Sequence, residues 1–162
     1  MIKVRGSHRN QEIELLVAIL RFSSLISRPM RDGVADPAGF SPNELRMLMA
    51  LTGEGEAAGH DLAELMGMNA MNVSRALTSL RGMRLIEPVT NAGNRRRKPF
   101  RISNRGATAY MAMEPSIAGV AGFLFGALSS VERRSLSAIL VKLHRQVLAW
   151  QPTEHRPHVP RA

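Results

Sequence analysis

The chain has 162 residues, a net charge of +9 and no cysteine. That length suits one domain with its own core plus extensions. The missing cysteine excludes disulfides, thiol catalysis, thiol redox sensing and cysteine-based zinc sites, and fits a cytoplasmic protein. The positive balance favours an acidic partner, nucleic acid ahead of an anionic membrane surface. No apolar run approaches the roughly 18 residues of a membrane span, and the basic N-terminus lacks the apolar core of a signal peptide. Ten methionines stand against few aromatics, so methionine is expected to fill core gaps.

Residues 1–9 are polar and basic and are expected to form a flexible arm. From 10 to 26 the apolar residues fall on two helical stripes: Ile13, Leu16, Val17 and Leu20 on one, and Leu15, Ile19, Phe22 and Ile26 on the other. Two stripes predict a helix covered on more than one side, by a partner subunit as well as by its own domain. Arg28-Pro29 should end it, and 31–40 reads as a loop. Ser41, Pro42 and Glu44 then make a capping box with proline at the first helical position, and Phe40 and Leu45 are spaced for a hydrophobic staple. That helix carries Leu45, Leu48, Met49 and Leu51 and should stop near Thr52-Gly53. EGEAAG reads as a flexible connection with room for a very short strand.

His60 to Met66 is expected to form two helical turns, with Leu62, Leu65 and Met66 inward and Gly67 at the left-handed position that follows a helix. Asn69 can cap the next helix, Asn69–Met83. There Val73, Ala76, Leu77 and Leu80 share one face. Projection at about 100° per residue puts Met71, Arg75 and Thr78 opposite, flanked by Asn72, Ser74 and Ser79. That face is polar, short in reach and free of acidic residues, which suits an approach to something negative. Leu85-Ile86 starts a ribbon and Asn91–Asn94 is turn chemistry. Arg95, Arg96, Arg97 and Lys98 crowd its tip. Phe100-Arg101-Ile102 alternates as the returning strand, and Pro99 is expected on the edge of a two-stranded wing.

Residues from Asn104 to about Leu128 are helical in pattern, with Pro115 placed to kink or split the helix. Ala118, Gly119, Ala121, Gly122 and Gly126 would let another helix approach closely. Ser129 and Glu132 make a second capping box. The helix it starts carries Leu136, Ile139, Leu140, Leu143 and Val147 on one stripe, with Trp150 at its end. The proline-rich tail from 151 is expected to be disordered.

This order of elements resembles the MarR family of transcriptional regulators over roughly residues 10–150. The motifs that carry the resemblance are SPNELRMLMAL, LAELMGMNAMNVSRALTSL, NAGNRRRKPFRISNRG and LSSVERRSLSAILVKL. In the wing, Asn91, Asn94, Arg95, Arg96, Phe100, Ile102, Ser103 and Gly106 match the family pattern, with asparagine at both positions where the family has aspartate. Asparagine cannot neutralise an arginine, so this wing should be more positive than usual. Arg84 stands where a glycine usually follows the recognition helix. Glu87 replaces a common basic residue, and its proximity suggests a pairing with Arg84.

The resemblance implies a mainly α fold with a small β wing. It divides the chain into a flexible basic arm (1–9), an N-terminal dimerisation helix and loop (10–40), a winged helix-turn-helix DNA-binding domain (41–106), C-terminal dimerisation helices (107–150) and a disordered tail (151–162). It also implies a homodimer that binds a pseudo-palindromic operator in double-stranded DNA. Many relatives are repressors released by a small aromatic or anionic effector bound between the dimerisation helices and the DNA-binding lobe.

On that reading Arg95, Arg96, Arg97 and Lys98 contact phosphates or the minor groove. Asn69, Met71, Asn72, Ser74, Arg75, Thr78 and Ser79 present the reading face. For each, a bland account stands beside the functional one. The arginine run is also what a solvated basic turn looks like, and Arg75 is also placed to brace its helix. Arg21, Phe22, Arg46, Met49 and Met111 lie near the expected effector cleft, where ordinary core or bracing roles account for them at least as well. The histidines are isolated or in the tails, so no metal site is expected. No nucleophile, paired-acid or glycine-rich phosphate motif sits in a suitable context, so neither enzyme activity nor a cofactor is expected. The competing reading is a winged-helix module that binds RNA or a protein partner. A membrane-surface role would need an amphipathic helix with exposed bulky apolars flanked by basic residues, which the sequence lacks.

Overall fold

The computed structural model describes residues 8–89 and 98–150. The N-terminal arm through residue 7, the Asn91–Asn94 turn with Arg95, Arg96 and Arg97, and the tail from 151 lie outside the described residues. The chain forms two compact units, Met1–Val120 and Ala121–Ala162. Six α-helices are described: α1 (His8–Met30), α2 (Pro42–Glu54), α3 (Gly59–Leu65), α4 (Ala70–Gly82), α5 (Asn104–Phe125) and α6 (Ser130–Leu148). Three short strands complete the description: β1 (Glu56–Ala58), β2 (Ile86–Pro88) and β3 (Pro99–Ile102).

The chain is mainly α with a small antiparallel sheet, and the core lies where α2, α3 and α4 meet it. Met47, Leu48, Leu51, Leu62 and Leu80 are fully buried there, with Val34, Val73, Ile86 and Met113 close behind. The α2 cap forms as its sequence requires. Glu44 N–H donates to the Ser41 hydroxyl at 3.3 Å, and the Ser41 N–H donates to the Glu44 carboxylate at 2.6 Å. Met47, not Met49, is the methionine at the centre of the core; Met49 is half-buried.

Several boundaries differ from the sequence reading. α1 begins at His8 and runs through Arg28-Pro29 to Met30. The segment read as a loop opens with a five-residue π-turn, Arg31–Ala35, whose Val34 and Ala35 are buried. Pro29 lacks an N–H and its ring crowds the turn before it, yet α1 continues through it to Met30 and the widened turn follows. Burial of Val34 and Ala35 overrides the loop-like composition around them. α2 continues to Glu54 and ends at Gly55, whose φ of 79° suits glycine. In α3, Leu62 is buried but Leu65 is exposed.

The wing is three-stranded, in the order β1-β3-β2. β3 is therefore the central strand, and the placement of Pro99 on an edge is corrected. Pro99 is tolerated because it is the first residue of the strand, and its carbonyl still accepts the Val89 N–H at 2.9 Å. Glu87 and Arg101 face each other across the β2–β3 ladder. The Arg101 guanidinium donates to Glu87 Oε1 at 2.7 and 2.8 Å, so the partner of Glu87 is Arg101 and not Arg84.

α5 is continuous through Pro115 and ends at Phe125, short of Leu128. Met111, Glu114 and Pro115 are all exposed, so solvent can serve the carbonyl that the missing N–H leaves. In the second unit α6 opens with the expected capping box of Ser129 and Glu132. None of its residues is buried. Among the described residues, no single helix is long and apolar enough to cross a membrane.

Candidate nucleic-acid interface

α4 is held from three directions, and each leaves a different strip of it free. Val73, Ala76, Leu77 and Leu80 are buried on the core side. At its start, Asn69 accepts the Met71 N–H at 2.8 Å, so the Asn69 side-chain oxygen is spent on the cap. On the flank toward α2, the Ser79 hydroxyl bonds the Glu44 carboxylate. Partial burial pushes the Glu44 carboxyl up, but the hydrogen bonds from Ser79 and Ser41 outweigh it and hold it below the ordinary glutamate value. Glu44 therefore closes the α2 cap and ties α2 to the middle of α4.

The remaining residues of α4 are exposed: Met71, Asn72, Ser74, Arg75, Thr78 and Ser79, with Arg81 beyond them. The structure thus brings the expected reading residues onto one solvent-facing surface and assigns them to strips. Asn72 and Ser79 project toward the α2 side by helical spacing, Met71 and Arg75 lie at the pole, and Ser74, Thr78 and Arg81 turn toward the sheet. The last three line a groove of about 350 Å³ whose other wall includes His60, Lys98 and Phe100. Arg81 was missed in the sequence reading, although its spacing of seven from Ser74 puts it on that strip. His60 was also missed; it pairs with Asp61 at 3.0 Å. Arg75, Arg81 and Lys98 have no ion-pair partner among the described residues. Of the four basic residues expected at the wing tip, Lys98 alone is described.

The junction between α4 and β2 rests on Arg84, whose φ is 60°. The Leu85 N–H donates to the Leu80 carbonyl and the Arg84 N–H to the Arg81 carbonyl, both at 2.9 Å. This double bond pattern ends a helix through a left-handed residue, usually glycine. An arginine there pays a backbone cost of about 1–2 kcal/mol. Behind it, the Ser103 hydroxyl donates to the Arg84 carbonyl at 2.8 Å and accepts the Gly106 N–H at 3.0 Å. Gly106 has no room for a side chain, because a Cβ there would run into the Leu85 carbonyl oxygen. The close of the wing is thereby packed directly against the end of α4.

The five effector candidates lie on α1, α2 and α5. Arg21 and Phe22 are exposed on α1, and Met111 is 67% exposed on α5. Arg46 reaches Ser27 at 3.4 Å, tying α2 to α1, and Met49 packs against the core. A larger cleft of about 790 Å³ lies elsewhere in the first unit, and its walls include Phe40, Met83, Leu85, Arg105, Ala109 and Met113. Arg105 is the one charged residue lining it. Among the described residues, no three His, Asp or Glu side chains gather as metal ligands would.

Residues 38–97 match the model of the MarR family. No curated relative matches the chain in sequence. In structure the chain is similar to a MarR family transcriptional regulator from Silicibacter pomeroyi, with a TM-score of 0.76 at 19% identity over 90% of this chain and 97% of that one. It is similar to NadR in complex with 4-hydroxyphenylacetate, with a TM-score of 0.69 at 16% identity over 88% of this chain and 98% of that one. A third similar structure is Bordetella bronchiseptica BpsR, whose DNA binding is regulated by 6-hydroxynicotinic acid; the TM-score is 0.68 at 17% identity over 80% of this chain and 98% of that one. At these identities the likeness is one of fold.

Proposed function

Because the chain belongs to the MarR family of winged helix-turn-helix proteins, we propose that it is a dimeric, sequence-specific DNA-binding transcriptional regulator of the repressor type. The observation that carries this reading is the exposed, acid-free face of α4, with Met71, Arg75 and Thr78 opposite a fully committed apolar face. Arginine can bind guanine through two hydrogen bonds and methionine can meet thymine methyls. The connection between β2 and β3 carries Arg95, Arg96 and Arg97 in sequence, which supply phosphate or minor-groove contacts and hence salt-dependent affinity.

Dimerisation is supported by α1 and α6, whose apolar stripes are open in the single chain. Leu20 of α1 is 57% exposed and Val147 of α6 is 71% exposed. A second copy would cover such stripes and set two α4 helices about one DNA turn apart on a two-fold site. An effector is supported by the 790 Å³ cleft, which is mostly apolar, with Thr108 and Ser116 as polar residues and Arg105 as its one charged residue. That lining suits a small aromatic carboxylate, the class that the NadR and BpsR names carry. Met83, which caps α4, and Leu85, whose N–H bonds the Leu80 carbonyl at the helix end, both line this cleft, so an occupant would press on the end of the recognition helix.

The test is duplex binding across a range of salt concentrations, comparing DNA from around the protein's own gene with random-sequence DNA. Tighter binding to the former, with a steep salt dependence, is expected. Equal binding to both would refute a sequence-specific regulator, and a preference for RNA would support the competing module.

A further inference from the structure

The groove between α4 and β3 divides the recognition helix by task. We infer that this groove seats a phosphate of the DNA backbone, held by Arg81 and Lys98 and by the hydroxyls of Ser74 and Thr78, while base reading is left to Met71 and Arg75. The inference rests on the DNA-binding reading above, and it moves Ser74 and Thr78 from the base edges to the backbone.

Three observations carry it. The first is shape: Ser74, Thr78 and Arg81 form one strip, and Lys98 lies on the opposite wall of the same 350 Å³ concavity. The second is charge. Arg81 and Lys98 are both exposed and neither has an ion-pair partner among the described residues. The nearest acid in sequence to this wall, Asp61, already accepts the Ala58 N–H at 3.1 Å and faces His60 at 3.0 Å. Two unpaired cations lining one concavity repel each other until an anion enters it. The third is donor chemistry. A guanidinium fork suits phosphate oxygens, an ammonium adds a point charge, and short hydroxyls donate without the reach needed for a base edge. The pole of the helix, with Met71 and Arg75, is one strip away, so both tasks can proceed at once.

The experiment measures affinity by fluorescence anisotropy against salt, using a random-sequence duplex and a duplex from upstream of the protein's own gene. Arg81→Gln should weaken binding to both by the same factor and flatten the slope of log affinity against log salt by about 0.9, the value of one phosphate contact. Arg81→Lys should retain the slope. Arg81→Gln combined with Lys98→Gln should flatten it by about twice as much. Arg75→Gln, in contrast, should change the ratio between the two duplexes. An Arg81→Gln slope equal to wild type would overturn the inference, as would a change in the duplex ratio, which would make Arg81 a base reader. A lowered melting temperature with an unchanged slope would make Arg81 a helix brace. If the wild-type protein binds neither duplex, the DNA-binding reading itself falls.

Discussion

α4 and α6 carry the same kind of signal and meet opposite fates. Each has a polar N-cap, Asn69 or Ser129, and each has an apolar stripe at helical spacing. In α4 the stripe of Val73, Ala76, Leu77 and Leu80 is at most 4% exposed. In α6 four of the stripe residues, Ile139, Leu140, Leu143 and Val147, are 41–71% exposed, and Leu136 is half-buried. Local sequence makes both helices equally well. The difference is that the α4 stripe joins the core shared with α2, α3 and the sheet, whereas most of the α6 stripe is exposed. An apolar stripe states that a face will be covered but not by what, and α1 repeats the lesson with its two open stripes.

The largest expected effect tests that contrast directly. Ending the chain before Ser129 should yield monomers or insoluble protein by light scattering, and a stable dimer would assign the interface elsewhere. Next, Leu80→Ala should cost about 2–5 kcal/mol in urea unfolding, independent of protein concentration. Leu140→Ala should instead weaken self-association and make the melting temperature more concentration-dependent. Similar behaviour of the two variants would erase the distinction between the helices.

The α4–β2 junction offers smaller effects of opposite sign. Gly106→Ala should destabilise by about 1–3 kcal/mol, because the added methyl must displace the Leu85 carbonyl. Arg84→Gly should stabilise by about 0.5–1 kcal/mol, since glycine takes φ of 60° without steric cost but loses more chain entropy on folding. A loss of stability there would mean that the arginine side chain outweighs its backbone strain.

The smallest effect separates the two capping boxes by pH. Hydrogen bonds from Ser129 hold the Glu132 carboxyl below its ordinary value, and those from Ser79 and Ser41 outweigh burial to do the same for Glu44. A folded value below the ordinary 4.5 means the stabilisation is present above that pH and is lost as pH falls through the depressed value. Glu44→Gln should therefore flatten stability against pH below 4.5. It should also loosen α4, seen as faster amide exchange there, whereas Glu132→Gln should affect its own helix end alone.

Much of the candidate interface was legible because it follows from short-range rules. The buried face of α4 came from spacing alone, and Asn69 and Ser41 came from cap chemistry. The left-handed Gly67, at φ of 59°, came from its position after α3. The misread parts all depend on distant residues. A very short strand was allowed for in EGEAAG, but its pairing was not legible, because EAA carries no alternation until β3 lies beside it. The π-turn read as a loop because Gly33 and Asp36 are turn formers, and burial of Val34 and Ala35 is a property of the core. Glu87 was matched to the arginine nearest in sequence, but the ladder register put Arg101 opposite it.

By itself, then, the amino-acid order determined which segments are helical, where most of them are capped, which face of α4 is apolar and that its other face lacks acids. These are contacts within a few residues, and helix geometry converts spacing into direction without further information. Tertiary structure alone decided that β3 is central, that Ser79 is tied to Glu44, and that Arg81 faces the same groove as Lys98. It also decided that Phe40, Met83, Arg105 and Met113 line one cleft. Each of these joins residues far apart in the chain, and what brings them together is burial of the shared core, which no local pattern encodes.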